Sequence, residues 1–138
     1  MRGLYLITND DPLEVLLAKL EGAFANGGIA VLQYRRKKVT KEDQIYEVEY
    51  MKALCAEYAV PFVINDDLEM AVKYGVGVHL GQDDGSIADA AAQLPQGVLI
   101  GCSCNNSLEL AEQAIVEGAN YVAFGAIYAT DTKPEAGN

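Results

Sequence analysis

The chain is poor in the basic residues on which nucleic-acid binding depends. Of its 138 residues, 10 are Lys or Arg and 20 are Asp or Glu, so the formal net charge is -10. Such a charge repels nucleic acid and anionic membrane surfaces. We therefore expect small-molecule partners, with neither nucleic acid nor a membrane among them.

Cysteine and histidine are equally scarce. The three cysteines, Cys55, Cys102 and Cys104, are odd in number and have no CxxC spacing, which argues against a disulfide framework and against a thiol-based zinc site. His79 is the only histidine, so a metal site built from several histidines is excluded. For His79 itself, a packing or supporting role is favoured over direct catalysis.

Long apolar runs are also missing. No stretch reaches the roughly 20 residues that span a bilayer, and the opening MRGLYLIT leads into a strand without a signal-peptide cleavage site. With 51% hydrophobic residues, the chain can nevertheless bury a core. We expect a cytoplasmic protein in which residues 1–138 form a single domain.

What is present is a regular alternation of β-rich runs and helical patterns. Strands are predicted at 3–8, 30–35, 61–65, 76–80, 98–103 and 121–128, with an amphipathic helix between each pair. Single helices between strands indicate right-handed crossovers and a parallel sheet. No GxGxxG follows the first strand, which ends TNDDP, so a β/α barrel is favoured over an open nucleotide-binding sheet.

Polar residues follow nearly every strand, and the QYRRKK run at 33–38 is the most basic of these segments. In a strand, Gln33 and Arg35 point the same way and Lys37 continues the series, whereas Arg36 points the other way. A guanidinium with an ammonium suits a phosphate or pyrophosphate. The ordinary alternative is a solvated loop.

Acidic residues follow the third and fourth strands, in NDD at 65–67 and GQDD at 81–84. Neighbouring parallel strands lie about 4.8 Å apart, so Asp66 and Asp84 at their ends can share one cation. Mg²⁺ typically takes one or two carboxylates, waters and phosphate oxygens. The alternative is that acids here cap the following helices, above all Asp67 and Asp83.

Hydroxyl groups follow the last two predicted strands. Ser103 has neither an elbow motif nor an obvious base beside it, so a hydrogen bond to phosphate is favoured over nucleophilic attack. A compact anion-binding site would be formed by Thr130, Thr132 and Lys133. The alternative is an exposed turn.

Taken in order, YLIT, QYRRK, INDD, GVHLGQDD, the GCS turn and FGAIYATDTK resemble the landmarks of the thiamine-phosphate synthase family, from residue 4 to residue 133. The resemblance implies a (β/α)8 TIM barrel. It also implies a Mg²⁺-dependent transferase that joins 4-amino-2-methyl-5-hydroxymethylpyrimidine pyrophosphate to 4-methyl-5-(2-phosphoethyl)thiazole, giving thiamine phosphate and pyrophosphate.

The resemblance also implies a role for each matching residue. Gln33, Arg35, Lys37 and Asn65 would hold the pyrimidine pyrophosphate, Asp66 and Asp84 would bind Mg²⁺, Ser103 and Lys133 would contact the departing pyrophosphate, and Thr130 and Thr132 would hold the thiazole phosphate. Arg35, Ser103 and Lys133 are thus the candidate catalytic residues.

The family continues through two further βα units after its sixth strand. We therefore expect this chain to hold six of eight barrel strands, to be a fragment, and to be oligomeric or poorly soluble and inactive by itself. Two rival functions stay open. One is a thiazole tautomerase paralogue, which tends to lack the paired acids and the full TxTK. The other is a barrel remnant that binds a phosphate compound without catalysis.

Overall fold

The computed structural model describes residues 3–124. Within them, strands and helices alternate strictly. The strands are β1 (Leu4–Ile7), β2 (Ile29–Tyr34), β3 (Phe62–Asn65), β4 (Gly77–Leu80), β5 (Ile100–Ser103) and β6 (Tyr121–Ala123). The helices are α1 (Leu13–Asn26), α2 (Lys41–Glu57), α3 (Leu68–Tyr74), α4 (Ile87–Gln93) and α5 (Leu108–Glu117). None of the described helices is long and apolar enough to cross a membrane.

The chain divides into two compact units, residues 1–65 and 66–138. In the first unit, β1, β2 and β3 lie side by side and parallel. The register pairs Ile7 with Gln33, and Gln33 with Val63. Val31, Leu32, Val63 and Ile64 are almost wholly buried, as are Val48 and Met51 of α2. The core of this unit thus consists of the branched strand residues and the apolar face of its helices.

In the second unit, β4, β5 and β6 are also parallel. The register places His79, Gly101 and Tyr121 at one level across the three strands. Val78 and Leu80 alternate with His79 and are fully buried. The expected period of two therefore separates an apolar face from the face that carries His79.

Four helices begin at a side chain that accepts a hydrogen bond from a backbone N–H group three residues later. These caps are Thr40, Asp67, Ser86 and Ser107. The predicted cap at Thr40 and the alternative role of Asp67 as a cap are both confirmed. Ser86, and not Asp83, caps α4, because Asp83 lies three residues before the cap position.

The predicted α/β fold is confirmed, and closure into an eight-stranded barrel stays a prediction. The predicted second strand is shifted by one residue, since β2 begins at Ile29 and ends at Tyr34, and the basic run continues as a loop. Residues 125–128 of the predicted sixth strand lie outside the described residues.

A buried ion pair joins β2 to α2. Arg36 and Glu47 are 8% and 4% exposed. The guanidinium donates to both carboxylate oxygens, from Nε to Oε1 at 3.0 Å and from Nη2 to Oε2 at 2.9 Å. Tyr34 donates its hydroxyl to the same Oε1 at 2.6 Å. Burial and this hydrogen bond raise the pKa of Tyr34 far above its usual value, so the phenol stays protonated and donating.

The third guanidinium nitrogen of Arg36 reaches the loop between β1 and α1. Nη1 donates to the carbonyl oxygen of Asn9 at 2.8 Å and also to that of Asp11. The ion pair therefore fixes three segments together: the end of β2, the face of α2 and the β1–α1 loop.

We predict that Glu47→Ala lowers the free energy of unfolding by about 3–5 kcal/mol, because it leaves the Arg36 charge buried without a partner. Urea unfolding measures the difference. The control is Glu57→Ala, an exposed glutamate of the same helix, which should change stability by less than about 0.5 kcal/mol. Equal effects of the two substitutions would contradict a buried, paired role for Glu47.

Candidate functional site

The alternation along β2 sends its polar residues to opposite faces. Tyr34 and Arg36 reach Glu47 in α2, so Gln33 and Arg35 project from the other face of the sheet. Because Tyr34 pairs with Ile64, Arg35 and Asn65 follow at the next level of neighbouring strands. The structure thus brings Gln33, Arg35 and Asn65 to one face at the carboxyl ends of the strands of the first unit.

Gln33 is buried at the base of this group. It is 4% exposed, and its Nε2 donates to the Tyr5 hydroxyl oxygen at 2.8 Å. The amide is therefore oriented by a protein partner, and its carbonyl oxygen faces away from that bond.

The basic loop, residues Arg35–Lys38, is held through its backbone by the β1–α1 loop. The Thr8 hydroxyl accepts from the Arg35 N–H at 2.7 Å and donates to the Arg35 carbonyl at 3.0 Å. One Asp10 oxygen, Oδ1, accepts from the N–H groups of Lys37 and Lys38 at 2.9 and 3.1 Å. The backbone is fixed while the side chains of Arg35 and Lys37 are exposed and make no ion pair within residues 3–124.

Those backbone hydrogen bonds stabilise the charged form of Asp10. They lower its pKa from the ordinary value of 3.8, with the N–H of Lys38 as the largest cause. The stabilisation from the carboxylate is therefore fully present above pH 3.8 and is lost as the pH falls through the lower, folded-state value.

We predict a small stability difference between the unaltered chain and Asp10→Asn that is constant above about pH 4 and disappears at lower pH. Urea unfolding midpoints between about pH 2.5 and pH 7 measure it. Asp83→Asn, at an exposed aspartate without a hydrogen bond in the described residues, is the control for the loss of a surface carboxylate. A difference for Asp10→Asn that grows as the pH falls would refute the capping role.

In the second unit, Asp66 has an unusual backbone conformation. Its φ is 71°, in the left-handed region, which aspartate tolerates better than most residues. Its N–H donates to the His79 carbonyl oxygen at 2.8 Å, and its side chain is exposed. The turn after β3 is thereby tied to β4, and it presents the Asp66 carboxylate outward.

Asp84 is half-buried in the loop after β4. Its Oδ2 accepts from the Gly81 N–H at 2.7 Å, and a Cβ at position 81 would come within 2.6 Å of that oxygen. Glycine at 81 is therefore what allows the carboxylate to fold back over the strand end. The Asp84 N–H also donates to the Gly81 carbonyl at 3.3 Å, and within the described residues no other hydrogen bond reaches the carboxylate, so its Oδ1 is available as a ligand.

Within residues 3–124, no group of three or more His, Cys, Asp or Glu side chains could hold a metal ion by itself. Asp66 and Asp84 supply hard carboxylate oxygens and no nitrogen or sulfur. Such a donor set does not fit zinc, and it fits Mg²⁺ completed by waters and substrate phosphates.

A hydrogen-bonded group that we call the histidine cluster comprises His79, Ser103 and Tyr121. Nε2 of His79 lies 2.8 Å from the Ser103 Oγ, and Nδ1 lies 2.9 Å from the Tyr121 hydroxyl. A Cβ at Gly101, which lies between them in the register, would overlap the Tyr121 ring. His79 is 7% exposed and has these two partners, which agrees with a supporting role, and that role stays a prediction.

A groove of about 260 Å³ lies between α4 and α5, on the face of the second unit's strands that is opposite to His79. Cys102, whose side chain alternates with that of Ser103, lines it. Burial raises the pKa of the Cys102 thiol to about 11, and that of Cys55 to about 12. Both thiols therefore stay protonated, and all three cysteines are buried and free.

The predicted site residues divide into three groups. Gln33, Arg35 and Asn65 share one face of the first unit, and Lys37 continues from them. Asp66, Asp84 and Ser103 stand at strand ends of the second unit. The predicted residues Thr130, Thr132 and Lys133 lie outside the described residues.

Sequence reasoning missed the supporting partners. Glu47 is one, although its position among the apolar residues of a helix that also holds Val48 and Met51 could have indicated burial. Tyr121 is another, and its signal was its place at the start of a strand that neighbours a strand glycine.

The fold and these side chains define an α/β protein whose parallel strands are followed by basic and amide side chains in the first unit and by carboxylates in the second. The family model described as thiamine monophosphate synthase matches residues 4–138. The chain belongs to the thiamine monophosphate synthase family.

A solved structure supports the same relationship. The chain is similar to thiamine phosphate pyrophosphorylase from Pyrococcus furiosus, with 30% sequence identity and a TM-score of 0.70. The match covers 87% of this chain and 58% of that protein, so the chain spans less than two thirds of its relative's length.

Proposed function

We propose that this chain provides the pyrimidine-pyrophosphate and Mg²⁺ sites of a thiamine-phosphate synthase. The reaction joins 4-amino-2-methyl-5-hydroxymethylpyrimidine pyrophosphate to 4-methyl-5-(2-phosphoethyl)thiazole and releases pyrophosphate. The observation that carries the proposal is the family match along residues 4–138, which includes every predicted site residue.

The first unit supports the pyrophosphate assignment. Arg35 and Lys37 extend from a loop whose backbone is already fixed, so little backbone entropy remains to be lost when an anion binds. Arg35 can donate two parallel hydrogen bonds, and Lys37 acts as a compact charge. Gln33 and Asn65 share the face of Arg35 and add neutral polar groups beside it.

The carboxylates of the second unit support the metal assignment. Asp66 and Asp84 would hold Mg²⁺, which would neutralise charge on the pyrophosphate as it leaves. Ser103 would donate to the same anion. Lys133 is proposed to contact the departing pyrophosphate, and Thr130 and Thr132 to bind the thiazole phosphate, on the family resemblance alone.

The reaction requires the protein to position the two substrates and to stabilise the charge that develops. The bond from the pyrimidine methylene carbon to the pyrophosphate oxygen breaks, and its electron pair leaves with the pyrophosphate. The electron-rich aminopyrimidine stabilises the methylene cation until the thiazole nitrogen donates its lone pair to form the new C–N bond. Such a reaction requires no nucleophilic side chain, and the described residues offer donors and cations at the strand ends.

We predict that, in a chain extended by the two further βα units of the family, Asp84→Asn lowers the rate of thiamine phosphate formation by about 100-fold or more at limiting Mg²⁺. The asparagine oxygen can still accept from Gly81, so the loop keeps its shape while the charge is lost. Chromatographic assay of thiamine phosphate measures the rate, and circular dichroism checks the fold. The matched control, Asp83→Asn in the adjacent exposed position, should retain the activity of the unaltered chain. Normal turnover by Asp84→Asn would contradict the assignment of Asp84 as a ligand of Mg²⁺.

We predict that Arg35→Ala weakens binding of the pyrimidine pyrophosphate by about 10-fold to 100-fold, because a charged hydrogen-bond donor is lost. Calorimetric titration measures the affinity. Lys38→Ala is the control, since Lys38 is exposed in the same basic loop, whereas Arg36→Ala would break the buried pair with Glu47. A comparable loss for Arg35→Ala and Lys38→Ala would indicate a diffuse basic patch and no defined site.

A further inference from the structure

The heavy-atom distances in the histidine cluster fit either direction of its two hydrogen bonds. A neutral imidazole donates from one nitrogen and accepts at the other, while the hydroxyls of Ser103 and Tyr121 can each donate or accept. Two arrangements of the protons therefore satisfy the same positions of the heavy atoms.

We infer that His79 is a positioning residue that turns the Ser103 hydroxyl hydrogen toward a bound pyrophosphate. In this arrangement the Tyr121 hydroxyl donates to Nδ1, Nε2–H donates to the Ser103 Oγ, and the Ser103 hydrogen points to the ligand. The inference rests on the proposed function, because it takes pyrophosphate as the anion that Ser103 contacts.

The chemistry of the anion selects this direction. At about pH 8 with Mg²⁺ bound, pyrophosphate is deprotonated, so its oxygens accept hydrogen bonds and donate none, and they need the Ser103 hydrogen. In the opposite arrangement, the Ser103 hydroxyl would donate its only hydrogen to Nε2 and turn an oxygen lone pair toward the anion. An anion therefore favours the form with the proton on Nε2, in which all three donors point the same way.

The surroundings hold the cluster in place. His79 is 7% exposed, and its backbone carbonyl is fixed by the Asp66 N–H. Gly101 leaves the space that the Tyr121 ring occupies beside the imidazole, with ring centroids 5.6 Å apart. The Gln82 Nε2 donates to the Ser103 carbonyl at 2.7 Å, which fixes the backbone from which the hydroxyl projects.

The single histidine makes the arrangement directly measurable. The ring nitrogens of His79 give the only histidine signals in a ¹⁵N spectrum of the whole chain. At about pH 8, with Mg²⁺ and inorganic pyrophosphate, we expect a proton on Nε2 and a bare Nδ1. A proton on Nδ1, alone or together with Nε2, would overturn the inference.

Substitutions test the effect on binding. Ser103→Ala should weaken pyrophosphate affinity by about tenfold, the loss of one hydrogen bond to a charged group. The amide nitrogen of His79→Gln reaches the position of Nε2, so this variant should stay within about threefold of the unaltered chain. The amide nitrogen of His79→Asn reaches only the position of Nδ1, so this variant should lose as much pyrophosphate affinity as Ser103→Ala.

A double substitution separates positioning from general damage. If His79 acts through Ser103, His79→Asn with Ser103→Ala should bind pyrophosphate no more weakly than Ser103→Ala alone. Additive losses, or equal losses in His79→Gln and His79→Asn, would indicate a merely structural histidine and would refute the inference. The spectrum of the unaltered chain decides the question even if His79→Asn does not fold.

Failure of this inference can be told from failure of the proposed function. Thiamine phosphate formation together with normal affinity in Ser103→Ala and His79→Asn would refute the positioning role and leave the function intact. Pyrophosphate binding that depends on Ser103 and His79, without any thiamine phosphate formation by a chain extended by the family's two further βα units, would refute the function and leave the positioning role intact.

Discussion

The ion pair between Arg36 and Glu47 is the interaction on which the first unit depends. Moving two charges out of water costs several kcal/mol each, so the pair is tolerable only with near-complete hydrogen bonding. The structure provides it: both carboxylate oxygens accept from Arg36, Tyr34 adds a third donor, and the remaining guanidinium nitrogen bonds two carbonyls of the β1–α1 loop. The same loop then supplies Thr8 and Asp10, which fix the backbone of the basic loop. A stabilising contact on one face of β2 thus sets the conformation of the basic loop, whose Arg35 projects from the other face.

Much of the fold could be predicted because it depends on local rules. The period of two in the strands, the period of 3.6 in the helices and the caps at Thr40 and Asp67 are properties of neighbouring residues. The faces of Gln33, Arg35 and Arg36 followed from the same alternation. The predicted end of β2 was one residue too late because hydrogen bonds from Thr8 and Asp10, far away in sequence, end the strand at Tyr34.

The partners of the site residues could not be predicted, because they depend on tertiary packing. Nothing local pairs Gln33 with Tyr5, 28 residues away, or His79 with Tyr121, 42 residues away. Glu47 was missed for a related reason: an acidic residue in an amphipathic helix is ordinarily exposed, and only a buried arginine opposite it reverses that expectation. The residue types of a site are therefore readable from sequence, while the contacts that orient them are not.

Hydrogen exchange at single backbone amides tests the central claim, that the buried pair holds the basic loop. We expect Glu47→Gln to accelerate exchange of the Arg35, Lys37 and Lys38 amides, which Thr8 and Asp10 protect, while the amides of Val78 and Leu80 in the second unit keep the rates of the unaltered chain. The amides of the second unit report any global destabilisation, so the comparison isolates the loop. Unchanged protection of the three loop amides, or an equal acceleration throughout the chain, would contradict the account.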